Sequence, residues 1–526
     1  MLFVINLFQI KRKMKTSIYY ISLLFTIIIS TSTFSQSSDW FLLPDGLGLS
    51  NQLEYSYNVD NKIEIFENWL TLDYNKNIFS AGLRFEAFQP NDPDPSISRG
   101  KVRYADIAYK YFAVDIGDVE EGLNITVGNF YKLFGRGLIL KSYEDRNIRV
   151  DNNLLGVKVE ANYLSFTLAA LSGSASNSIN ERQDIIHAVD LQYNGFDFVK
   201  LGTTFASNQP EIDGTARTTL ASARIQPTIW NFDGYAEYGI KSNKDIQSQI
   251  FKDDEWKIGE AFYGSLNFYY DMFSIVGEYK YYDNYAFTSN DGTIFYNTAP
   301  SLRKEYTYQL LNRHPSPLDQ SNEEGYSLEA NFNLSDATSF IANYGITQTL
   351  PASSYYQRVN NFSLPITTQL KEVYLQATHN WDESFTTIAA FGYNEELSTN
   401  TKNFTPILEN KFYFDDINTI KVVLEHQQTE NLSTDEKYYD DVIAIEYLRS
   451  PNFNVSVVTE IQTKEPEAGK TVRKVWSFIQ FGYKLGNHSD LSLLIGSRQA
   501  GNICIGGICR YEPAFQGIEF KILTRL

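Results

Sequence analysis

Cysteine is almost absent from the chain, with two residues in 526, and methionine is nearly as scarce, with three. Two cysteines cannot staple a chain of this length, so a disulfide-dense scaffold is excluded. Proline stands at 15 without a collagen-like period, and 43% hydrophobic with 15% aromatic residues is too apolar for a disordered tail protein. Cations are in deficit: 45 Lys and Arg face 63 Asp and Glu, a net charge of −18. That argues against nucleic acid as a partner, because phosphate binding needs clustered cations. Long apolar runs are missing as well. The only one, Ile18 to Ile29, is shorter than the roughly 20 residues a membrane helix needs. A helical membrane bundle is excluded.

That one run has the layout of an export signal. Lys11, Arg12, Lys13 and Lys15 form the positive end, YYISLLFTIII the apolar middle, and Thr33 and Ser35 are the small residues read by a signal peptidase. The expectation is a signal peptide over 1–35, cleavage before Gln36, a short periplasmic segment over 36–46, and one domain over 47–526.

Within that domain almost nothing repeats at the helical period, while apolar and polar residues alternate in runs of about ten. Ile518, Phe520 and Ile522 oppose Glu519 and Lys521, and Leu155, Val157 and Val159 oppose Lys158 and Glu160. Ile420, Val422 and Leu424 oppose Lys421, Glu425 and Gln427. Charge on one face and aliphatic or aromatic groups on the other fit either a sandwich or a barrel with lipid outside and water inside. Length separates the two. Sandwich strands run to about five or six residues, whereas a tilted strand crosses a bilayer in about 9 to 11.

The connections alternate in length too. Short turns fall near Asn75 to Asn77, Gly117 to Gly122, Asn162 and Tyr163, Asn194 to Asp197, Pro227 and Thr228, Asp271 and Met272, and so on to Gly486 to Ser489. Between them lie longer polar links, among them Lys132 to Asp151, Ala286 to Gly325 and Ala500 to Glu512. Short turns on one side and long links on the other are the asymmetry of an outer-membrane barrel. Eleven turns and twelve links predict an all-β, transmembrane antiparallel barrel of even strand number, 24 within a range of 22 to 26, with inward or extracellular loops. A bore this wide cannot stand open without breaching the membrane. Strand-like alternation begins near Leu47, so the expected filler is inward-folded loop, bulky lumenal side chains or another protein.

Three blocks carry a resemblance: GNFYKLFGRGLILKSYEDR (Gly128 to Arg146), APSLRKEYTYQLLNRHP (Ala299 to Pro315) and CIGGICRYEPAFQG (Cys504 to Gly517). They resemble an uncharacterised outer-membrane β-barrel family of Bacteroidota, a domain of unknown function. The resemblance implies location and fold and brings no activity with it.

Few residues suggest chemistry. Cys504 and Cys509, with Gly506 and Gly507 between them, are expected to form a disulfide across the last outer link. Their spacing is not the C-x-x-C of oxidoreductases, and no second ligand pair makes a metal site. Arg136, Arg146 and Arg149, with Glu144, Asp145 and Asp151, put three cations and three acids in one stretch. Three roles fit it: a salt-bridge network anchoring a folded-in loop, a constriction for a ligand or ion, or a solvated outer loop. Arg303, Arg313 and His314 fall in the longest link and extend the same set. No H-x3-H, H-E-x-x-H, G-x-S-x-G or P-loop pattern occurs. The expectation is a non-enzymatic protein with no cofactor and no metal.

Two functions follow, of different class. One is a loop-constricted channel or transporter for a hydrophilic solute, its acidic wall favouring cations. The other is a platform or assembly barrel for surface or periplasmic lipoprotein partners. Both have outer-membrane lipids as their surroundings.

Overall fold

The structure, a computed structural model, describes residues 44–60, 62–89, 105–148, 150–176, 182, 184–209, 217–243, 256–313, 317–465, 473–505, 508–512 and 514–526, and of Gln89 and of those within 502–513 the backbone alone. The signal 1–35, Arg149, His314 and the side chains of Cys504 and Cys509 lie outside the described residues.

The chain makes a closed barrel of 24 strands. The first six are β1 (Leu47–Asn58), β2 (Ile63–Lys76), β3 (Phe79–Gln89), β4 (Ala105–Gly117), β5 (Gly122–Phe130) and β6 (Leu154–Tyr163). Next come β7 (Phe166–Ala175), β8 (Ile185–Phe196), β9 (Val199–Gln209), β10 (Thr218–Ile229), β11 (Phe232–Asn243) and β12 (Gly259–Tyr270). They are followed by β13 (Phe273–Asp283), β14 (Asn322–Ser335), β15 (Thr338–Thr349), β16 (Thr368–Asp382), β17 (Phe385–Glu396) and β18 (Thr401–Tyr413). The last are β19 (Asn418–Asn431), β20 (Lys437–Arg449), β21 (Phe453–Gln462), β22 (Val475–Leu485), β23 (Ser489–Arg498) and β24 (Phe515–Arg525). Each strand is antiparallel to its neighbours in sequence. The ring closes where β1 meets β24, from Ser50 opposite Arg525 to Asn58 opposite Gly517. Closure leaves no sheet edge, the condition for backbone to exist in hydrocarbon.

The two faces differ as the alternation requires. On β8, Val189 and Leu191 point out and stay exposed, while Ala188 and Asp190 point in and are buried. Exposed Ile107, Phe112, Ile116 and Val127 continue the apolar outer surface over β4 and β5. Near the short turns this surface becomes a band of rings. Phe273 lies 4.5 Å from Phe332, Phe232 4.7 Å from Phe268, and Phe166 4.9 Å from Tyr193. Such girdles sit at the boundary between lipid and water.

The predicted count and the alternation of connections match the fold, but two turns fall later than the polar residues suggest. The chain reverses at Leu164 and Trp230, each at positive φ, rather than at Asn162 or Pro227, while the turn expected over Asn75 to Asn77 does fall at Asn77. Pro227 stays within β10, where the ladder to β11 skips from Ile225 to Thr228 because proline has no N–H to give. Apolar residues at these reversals, such as Trp230 at 94% exposure, suit a turn at the membrane boundary.

Candidate functional site

Two of the long links do not stay outside. The described parts of residues 131–153, the first inserted loop, and of residues 284–321, the second, bury side chains against inward-facing residues of the wall. In the first loop, Gly135 and Gly137 at φ +53° and +87° turn the chain back sharply. A Cβ on Gly135 would sit 2.7 Å from the Tyr235 hydroxyl, so only glycine allows this approach to β11. The reversal delivers Phe134, Leu138, Ile139 and Leu140 into one apolar cluster with Tyr285, Phe287 and Tyr296 of the second loop. Opposite them the wall presents small residues, Ala169, Ala188, Ala206 and Ala261, which leave room for the insert. Burial of this kind contributes about 1.5–3 kcal/mol per large apolar side chain.

Backbone groups knit the two loops together. Asn297 Nδ2 donates to the Leu138 carbonyl at 3.0 Å, and Lys141 N donates to the Tyr296 carbonyl at 2.9 Å. Asn152 Nδ2 reaches the Phe295 carbonyl at 3.1 Å. These contacts join segments about 150 residues apart in sequence, and no local signal announces them.

Charge fixes the first loop to the wall. Arg84 on β3 donates Nε to Glu86 at 2.7 Å, Nη1 to Glu144 at 2.9 Å and Nη2 to Asp151 at 2.6 Å. The carboxylates of Glu86, Glu144 and Asp151 lie within 4.8 Å of one another, a spacing that would suit a metal ion, but the guanidinium already holds the position. Asp151 also accepts the Tyr131 hydroxyl at 3.0 Å. Burial and the neighbouring Asp151 push that phenol far above its ordinary range. Arg146 donates to Glu144 at 2.9 Å and to Gln52 on β1 at 2.9 Å, with its guanidinium 5.0 Å from the Trp69 ring centre. Lys132 pairs with Glu160 of β6.

The sequence-predicted residues divide accordingly. Glu144, Arg146 and Asp151 come together in one network. Asp145 does not join it; its carboxylate takes the N–H of Asn147 at 2.9 Å and caps its own turn. Arg136 stands apart from the acids, 4.9 Å from the Tyr235 ring, and gives its backbone N–H to that tyrosine at 3.1 Å. Arg84, Glu86, Gln52 and Trp69 were missed. Their only signal is that a charged pair two residues apart on β3 shares the inward face.

The second loop runs on past the apolar cluster to the far wall. Lys241 donates to the Ala286 carbonyl at 2.7 Å, and Asn290 N to Asp184 at 2.7 Å. Beyond Pro300 the chain crosses β14 to β21, where Lys304 pairs with Glu329 and Arg313 makes a two-pronged ion pair with Glu460. Arg313 also donates to Gln499 at 2.6 Å. Arg303 braces the loop itself, through the Leu311 carbonyl at 3.1 Å. A one-turn helix, Gln309–Asn312, buries Leu310 and Leu311. Leu311 packs with Tyr374, Ala390, Ile407 and Val423, and a Cβ on Gly392 would lie 2.3 Å from its Cδ2.

At the last outer link, the backbone sets Cys504 directly opposite Cys509 in the hairpin Gly501–Ile505 and Ile508–Glu512.

A closed antiparallel barrel with an apolar outer band, an aromatic girdle and two long links packed on its inward face defines a β-barrel with the fold of outer-membrane proteins. The chain belongs to the family of unknown function DUF6029, whose model matches residues 14–526. A search of curated proteins finds no match. Among solved structures, the translocation pore of the P pilus usher PapC matches with a TM-score of 0.47 at 10% identity, covering 91% of this chain and 98% of that one. The copper transporter OprC gives 0.45 at 10% identity over 91% and 80%. The siderophore receptor PirA of Pseudomonas aeruginosa gives 0.43 at 8% identity over 92% and 81%.

Proposed function

We propose that this protein is a non-enzymatic, integral outer-membrane channel or transporter for a hydrophilic solute, exported by way of its N-terminal signal and held closed by its own loops. The supporting observation is the plug. Residues 131–153 and 284–321 share one apolar cluster and are tied to the wall from β1 to β21 by ion pairs and hydrogen bonds. A wide barrel needs such a filler to keep the membrane tight. A loop held in part by polar contacts can also be released without unfolding the barrel. A lipoprotein platform would use its long links as outward surfaces, whereas these two are spent inside the bore, so that role ranks second.

Planar-bilayer recording on the purified protein tests the proposal. Wild type should pass little current, and replacing residues 290–320 with a short Gly-Ser linker should give large, stable steps. Unchanged conductance after that replacement would rule out the second loop as the constriction. No current from either form, together with a co-purifying protein, would favour the platform.

A further inference from the structure

Charges on the inner wall mostly neutralise one another between neighbouring strands or along one strand. Lys280 meets Glu323, Lys421 meets Glu446, Arg498 meets Glu519 and Lys521 meets Glu54 on adjacent strands, and Arg224 on β10 reaches over β9 to Asp190 on β8. Several inward carboxylates depart from that pattern, among them four on β14 to β21. Among the described residues, Glu329 on β14, Glu372 on β16, Glu425 on β19 and Glu460 on β21 form no ion pair with another strand. Their partners come from the second inserted loop instead. Lys304 pairs with Glu329, and its backbone N–H donates to Glu372 at 3.2 Å, joined there by the Tyr306 hydroxyl at 3.3 Å. Gln309 and Leu310 give their N–H groups to the two oxygens of Glu425 at 3.0 and 2.8 Å. Arg313 pairs with Glu460, which also takes Gln309 Nε2 at 3.0 Å.

We infer that residues 303–313 form a cationic strap that serves as the barrel's gate, seated on a track of wall carboxylates that selects cationic solutes when the strap lifts. This rests on the conduit reading above and adds the class of solute. Three of the four carboxylates are buried under the strap, Glu372, Glu425 and Glu460, a costly state unless donors compensate them. With the strap down, loop cations and N–H groups supply that compensation. With it up, water does, and the bared groups leave the wall negative. Hydration replaces part of what docking provides to the carboxylates, while re-exposing Leu310 and Leu311 works against lifting, so the docked position is the resting one. The seat is shaped as well as charged: Gly392 leaves the notch that Leu311 fills.

Charge exchange across the latch is the test, on the full-length protein in planar bilayers with folding checked by heat-modifiable gel mobility. R313E should raise open probability about tenfold, and the exchanged pair R313E/E460R should return it to the wild-type level. Opening by R313E that the exchange fails to reverse would overturn the latch, and so would no opening at all. For selectivity, the neutral-strap variant K304Q/R313Q should prefer K⁺ to Cl⁻ about fivefold by reversal potential and show block by spermine. Adding E372Q/E425Q should bring the ratio toward one and relieve the block. An opened lumen that is unselective, or whose selectivity ignores those two carboxylates, would overturn the track. If the linker variant lacking 290–320 also passes no current while folded, the conduit reading itself fails, a result distinct from an open but unselective pore.

Discussion

The Arg84 guanidinium on β3 reaches the Asp151 carboxylate, 67 residues later in the chain, at 2.6 Å. The contact spans from the wall to the far end of the first inserted loop. Arg84 is buried and is shared with Glu86 and Glu144. R84Q would therefore remove the one guanidinium that all three carboxylates share, leaving Arg146 on Glu144. Breaking a buried pair in this way costs about 3–5 kcal/mol. The barrel strands do not depend on it, so the expected result is a folded, heat-modifiable barrel whose residues 131–153 become cleavable by added protease while the wild-type loop resists.

Tyr285 of the second loop fits against the bare backbone of Gly239 on β11. A Cβ there would lie 2.0 Å from the Tyr285 hydroxyl, which has no hydrogen-bond partner among the described residues. G239A should cost about 1–3 kcal/mol of plug stability through overpacking. Y285F removes the oxygen that the new methyl meets first and should recover part of the loss, as read by hydrogen exchange over residues 284–300. No recovery in the double variant would mean that the contact is not what holds this part of the loop.

Lys141 in the first loop has its pKa lowered by burial, with Asp145 opposing the shift. A depressed lysine pKa means that the docked loop binds its proton less tightly than the free loop does. Docking should strengthen as pH rises through the docked pKa toward the ordinary lysine value, and that gain should be lost again as pH falls. Protease protection of residues 131–153 in wild type should increase as alkaline pH approaches the ordinary lysine value. K141M should flatten the increase, and an unchanged slope would assign the effect to another group.

On the outer face, Val189 stands exposed between inward Ala188 and Asp190 on β8. V189R places a charge toward lipid and should cost about 2–4 kcal/mol if it lies near the bilayer midplane. Folding yield into vesicles, measured by gel mobility, should fall accordingly. A V189R protein that folds as well as wild type would argue against lipid on this face.

The barrel was legible because every strand repeats the same two-residue rhythm. Val157 against Lys158 and Ile420 against Lys421 report on inside and outside without reference to any other strand. The turns were less legible. A strand ends where the membrane boundary lies rather than where polar residues begin, so Leu164 and Trp230 occupy reversals that Asn162 and Pro227 seemed to announce. In the site, Glu144, Arg146 and Asp151 could be picked out as a charged cluster. Asp145 and Arg136 looked equivalent to them and are not, since one caps a turn and the other lies on an aromatic ring.

The sequence by itself determined an all-β chain with a lipid-type outer face, an even strand number and loops too long to be simple turns. These follow from local periodicity, which each segment carries alone. Only the tertiary structure decided that two of those loops turn inward, that Arg84 awaits Asp151, and that Glu372, Glu425 and Glu460 find their partners in residues 303–313. Such pairings join residues 60 to 150 positions apart, and nothing in either segment specifies its partner until ring closure fixes which inward faces look at one another across the bore.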